Sequence, residues 1–148
     1  MAAEDIRRDF PALDRSSYEP PYSGEDFNYN CLAFVLGDRN NWWEPPGLFG
    51  HYWPPGFPED VTVETVTDII RLHGFVVEPY DITHLETDSI AIYANGSEWT
   101  HFAKFSNGIW MSKLGEGNDI KHLRLEDLEG EKYGKVVKIL SRKSQRHT

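Results

Sequence analysis

Apolar residues recur along this chain in two rhythms. From Thr62 to His73 they fall at Val63, Val66, Ile69 and Ile70, with His73 on the same stripe. That is the spacing of one helical face, and Gly74 follows as a C-cap. Upstream, Asn30-Cys31-Leu32-Ala33-Phe34-Val35-Leu36-Gly37 predicts a short apolar helix that starts after an N-cap asparagine and stops at glycine. Further on the rhythm shortens to two. Phe75 to Glu78, Ser89 to Ala94, Trp99 to Phe105, Ile109 to Leu114 and Lys135 to Leu140 read as strands, with a helical turn at Leu125 to Leu128. Ile6 to Leu13 predicts a helical turn ended near Pro11, and Ser16 to Asp26 a loop. Helices followed by antiparallel strands predict an α+β fold with the helices on one sheet face.

Asn107-Gly108 between two strands is a strong hairpin signal. With those two residues as the loop, Ser106 pairs with Ile109, Phe105 with Trp110, Lys104 with Met111 and Ala103 with Ser112. His101, Ala103 and Phe105 then share a face with Trp110, Ser112 and Leu114, while Phe102, Lys104, Met111 and Lys113 take the other. The His101 face carries mostly apolar groups and is expected to lie under the Cys31 helix.

The segment from Asp38 to Asp60 breaks both rhythms. Five prolines forbid regular structure over most of it, yet Trp42, Trp43 and Trp53 are too apolar for a solvated loop. It is expected to be an ordered meander whose rings close one side of the core or wall a substrate cleft.

The chain has 148 residues, a length that suits one domain: an N-terminal arm over 1–25, a core over 26–141 and a basic tail over 142–148. A net charge of −9 argues against nucleic acid as a partner. No apolar run is long enough to span a membrane, and the N-terminus lacks the pattern of a secretory signal. A cytoplasmic protein is expected, with signal-independent export left open. The single cysteine excludes an internal disulfide framework. His51, His84, His101 and His122 show no metal-ligand spacing, so neither metal nor cofactor is expected.

The candidate chemistry centres on Cys31. In the first turn of a helix, free backbone N–H groups and the helix dipole favour thiolate over thiol. His101 opens a strand seventy residues later and is the candidate base. Ser112, diagonal to it across Ala103, is the candidate third residue, although a one-residue slip would substitute Lys113. Asp119 and His122 are expected in the loop after the second hairpin strand, from which either would fold back toward His101. Tyr29, Asn30 or Tyr22 would supply an oxyanion donor beside the Cys31 N–H. The competing reading is a buried cysteine acting as a small hydrophobe.

Tyr29-Asn30-Cys31-Leu32-Ala33, Trp42-Trp43-Glu44-Pro45, Tyr52-Trp53-Pro54, Thr100-His101-Phe102-Ala103, Trp110 to Gly115, Asp119 to His122 and Tyr133 to Val136 together resemble a family of uncharacterised bacterial proteins, the DUF7689 type. That family is in turn distantly similar to NlpC/P60 and papain-like cysteine hydrolases. The resemblance implies a papain-like fold, a Cys31 nucleophile and a His101 base. Ser112 departs from the histidine, aspartate, asparagine or glutamate usual in third place. The expected function is a cysteine peptidase, amidase or acyltransferase acting on a peptide or protein. The alternative is an inactive fold that binds a protein partner, and a toxin or effector domain would share the chemistry.

Overall fold

A computed structural model describes residues 29–38, 40–45, 51–79, 88–106, 108–113, 119–122, 125–130 and 133–142. The predicted Ile6 to Leu13 turn, the Ser16 to Asp26 loop, Tyr22, His84 and the basic tail beyond Arg142 lie outside them.

Helix α1 covers Cys31–Val35 and α2 covers Val63–Leu72. Both start as their sequences predict. Asn30 Oδ1 accepts the Ala33 N–H, and Thr62 Oγ1 accepts the Thr65 N–H. Gly74 ends α2 with φ +94°. Between the helices, β1 (Trp42–Trp43) and β2 (His51–Tyr52) form a short parallel pair. The remaining strands are β3 (Val76–Val77), β4 (Asp88–Asn95), β5 (Glu98–Ser106), β6 (Ile109–Lys113), β7 (Asp119–His122) and β8 (Lys135–Arg142). They build a six-stranded antiparallel sheet in the order β3-β8-β4-β5-β6-β7. The α+β class and its antiparallel sheet follow the sequence expectation.

The hairpin register is the predicted one, with Ser106 opposite Ile109 and Ala103 opposite Ser112. Strand alternation therefore sends Phe102 to one face and His101 to the other. The first face carries Ile90, Ile92, Phe102 and Leu140, which pack against Leu32, Phe34, Val66, Ile69 and Ile70 of the two helices. Burying each such side chain contributes roughly 1.5–3 kcal/mol. Trp43 and Trp53 belong to this core, 8% and 7% exposed. Their indole N–H groups donate to Asp38 Oδ2 at 2.9 Å and to Pro58 O at 2.9 Å. Those bonds let a proline-rich meander bury its rings without stranding a donor.

The second face carries Ala91, Tyr93, Ala103 and Trp110. It is covered by Leu128, from a 3₁₀ turn at Leu125–Leu128, and by Tyr133. The two helices pack on one face, as expected, but it is the Phe102 face and not the His101 face. The helices need apolar cover, and the Phe102 face presents Ile90, Ile92, Phe102 and Leu140. The other face sets the polar His101, Ser112 and His122 among Tyr93 and Trp110.

Candidate functional site

Cys31 opens α1 against β5 and β6. Its residue is 7% exposed, in a cluster with Leu32 and Phe102. Burial pushes the thiol up to about 11, overriding the backbone N–H groups of Phe102, Leu32 and Cys31 and the Lys113 ammonium, all of which favour thiolate. The helix start does aim donors at the sulfur, but loss of water outweighs them.

Lys113 ends β6 on the same face, fully buried, with Nζ 5.0 Å from the centre of the Tyr29 ring. Tyr29 is itself 1% exposed. Asn30 is buried and ties α1 to β1. Besides capping the helix, its Oδ1 accepts the Trp43 N–H at 3.2 Å and its Nδ2 donates to Trp43 O at 2.8 Å. Trp42 lies half-buried outside this core, its ring 6.1 Å from that of His51.

His101 stands on the opposite face of the sheet. Its ring stacks on Tyr133 at 4.1 Å with a 2° interplanar angle, and Tyr93 lies 5.3 Å away. Burial first, and then the His122 charge, hold it well below the usual imidazole range. Ser112 shares that face, and its Oγ is 2.8 Å from His122 Nε2. Both residues are fully buried.

The structure thus divides the candidate residues into two groups separated by the sheet. Cys31, Tyr29, Asn30, Trp43, Trp53 and Lys113 gather on the helix side; His101, Ser112 and His122 gather on the other. No contact links Cys31 to His101 among the described residues, and Ser112 meets His122 in place of His101. The side chain of Asp119 lies outside the description. Sequence reading missed two participants. Phe102 contributes a backbone N–H, which no side-chain pattern announces. Tyr133 reaches His101 only through the return of the chain into β8. No group of three or more metal-type ligands occurs among the described residues, and none of their helices is long and apolar enough to cross a membrane.

These features define an α+β protein with a capped, thiol-bearing helix on one side of an antiparallel sheet and a paired-histidine cluster on the other. The chain belongs to the DUF7689 family, described as a domain of unknown function, which it matches over residues 22–141. No curated protein and no solved structure matches it.

Proposed function

We propose that this chain is a non-catalytic, cytoplasmic protein-binding domain built on a papain-like, NlpC/P60-like plan. The observation that carries this reading is the separation of Cys31 from His101 and His122, the candidate base and its neighbour, by the sheet. A nucleophile and its base must come within hydrogen-bond reach, and here the thiol is held protonated by burial. The α+β layout, with a helix-start cysteine packed on antiparallel strands, supports the papain-like plan.

The binding surface is the β3 edge of the sheet. Val76 and Val77 are 60% and 46% exposed there, and Val137 of β8 is 40% exposed. A groove of about 230 Å³ lies beside them, lined by Val77, Glu78 and Pro79 and by the β8 run from Val136 to Ile139, Lys138 among them. Among the described residues no strand pairs with the outer edge of β3. An edge with open backbone groups and exposed valines accepts an added strand. Glu78 and Lys138 both line the groove, and the net charge of −9 favours an extended protein segment that alternates apolar and basic residues. Short displayed peptides selected on this chain should converge on that pattern. The selection should be lost with Val76→Lys/Val77→Lys, which should unfold at the wild-type temperature. No convergence, or the same peptides on the variant, would overturn the reading.

The donors around Cys31 favour a second reading, that of a cysteine hydrolase or acyltransferase. In it the Cys31 thiolate, held by Lys113 and three backbone N–H groups, would attack an amide carbon. Iodoacetamide separates the two. For a non-catalytic domain, alkylation of Cys31 should stay slow up to about pH 9 and be equal in His101→Ala. Fast alkylation near about pH 6 that collapses in Lys113→Met or His101→Ala would establish the enzyme.

A further inference from the structure

His101 is fully buried, and neither Nδ1 nor Nε2 has a hydrogen-bond partner. Buried polar groups are normally satisfied, because leaving one bare costs about 1–3 kcal/mol. What the ring has is a face. It lies parallel to Tyr133 and tilted against Tyr93. Tyr133 belongs to the segment that closes this side of the sheet. Among the described residues, these bonds fasten that segment. Tyr93 Oη donates to Leu125 O at 2.7 Å, Thr100 Oγ1 donates to Tyr133 O, and Val136 N–H donates to Glu129 Oε2 at 2.9 Å. Gly130 and Gly134 close a two-way backbone bridge.

We propose that the His101–Tyr133 stack is an acid-sensitive latch, which holds the Leu125–Leu128 turn and Tyr133 against the sheet at neutral pH and releases them when His101 takes up a proton. Among the described side chains, those that face the ring include no carboxylate. On β4 it meets Tyr93, and the β7 residue His122, itself hydrogen-bonded to Ser112 of β6, acts on it as a like charge. From the closing segment it meets Tyr133. Glu126 is exposed, and the Glu129 carboxylate is turned to the Val136 amide. On β8, Val136 lies opposite Tyr93. Lys138 lies opposite Ile92 and so takes the other face. Protonation therefore places a bare imidazolium beside a second imidazole in a dry site, and opening lets water reach it.

The direction follows from linkage. The closed state disfavours the charged ring, so its stability is full above the ordinary imidazole pKa near 6.5 and is lost as the pH falls below it. Opening should rise up to about tenfold per pH unit below that point. Hydrogen exchange at the Gly130, Gly134 and Val136 amides, corrected for intrinsic rates, should show this loss between about pH 7 and pH 5. The Ile90 to Ile92 amides should keep their protection. His101→Phe, which retains a flat ring without a proton site, should abolish the slope. An unchanged slope in His101→Phe, or equal loss of protection across β4, would overturn the latch. The ring signals of the wild-type histidines provide an independent reading should the variant fold poorly. A His101 resonance that titrates near 6.5 in the closed protein overturns the proposal as well.

Discussion

Gly134→Ala should be among the most damaging single substitutions in this protein, costing about 4 kcal/mol or more. Gly134 adopts φ +73°, a region that L side chains rarely enter. The larger effect is steric. A Cβ there would lie 2.8 Å from the Ala94 carbonyl carbon and well inside contact with Ala94 O and Asn95 Oδ1. The obstruction is mainly backbone of the central strand β4, which cannot swing aside as a side-chain tip can. The change would also disturb the Gly130–Gly134 bridge and the neighbouring Tyr133. Gly96 provides the comparison. It has φ +63° with nothing within 4 Å of an added Cβ, so Gly96→Ala should cost only about 1 kcal/mol of backbone strain. Urea midpoints for the two variants test this directly. Equal shifts would show that the chain around Gly134 yields more readily than its packing indicates.

Asn30→Ala should be the other large loss, about 3 kcal/mol. One buried amide serves three backbone groups: the Ala33 N–H, the Trp43 N–H and the Trp43 carbonyl. Loss of an N-cap alone costs about 1 kcal/mol. Stranding the Trp43 groups adds the penalty of buried unsatisfied donors and acceptors. Asn30→Asp should not rescue the protein. It keeps an acceptor for the two N–H groups but turns a second oxygen toward Trp43 O and buries a charge. Thermal unfolding of both variants checks the argument, and a stable Asn30→Asp would refute the role given to Nδ2. Because Asn30 precedes Cys31, either change should also loosen α1 and speed alkylation of the thiol.

Both substitutions act where local sequence and long-range packing meet, and they show how much could be read in advance. The Asn30 cap was legible because an N-cap asparagine bonds within its own turn. The hairpin register was legible because Asn107-Gly108 sets the pairing locally, and every opposite pair up to Ala103 and Ser112 followed. The α2 helix was legible because four apolar positions repeat at helical spacing. The second duty of Asn30, holding Trp43, was not, since the two lie thirteen positions apart in the chain. The close approach of Gly134 to Ala94 was equally invisible, because it depends on how β8 returns to β4.

The same distinction governs the candidate site. Alternation correctly placed Phe102 and His101 on opposite faces and Ser112 with His101. It could not say which face the helices would cover, because alternation is symmetric until something packs on one side. Taking the His101 face as the covered one brought Cys31 and His101 together on paper. The helices packed instead on the apolar Ile90, Ile92, Phe102 and Leu140, which placed them apart. Helix-start position likewise indicated a lowered thiol pKa, whereas burial raises it.

By itself, then, the sequence determined both helices and their caps, strands β3 to β6 and β8, the hairpin register and the α+β class, because each is decided by contacts within a few residues. Strands β1, β2 and β7, read as meander and loop, form only through pairing with other segments. Only the tertiary structure decided which face of the sheet each helix occupies, and with it which polar groups meet and which lose water. Those outcomes depend on apolar area summed over distant segments, a quantity that no local pattern contains.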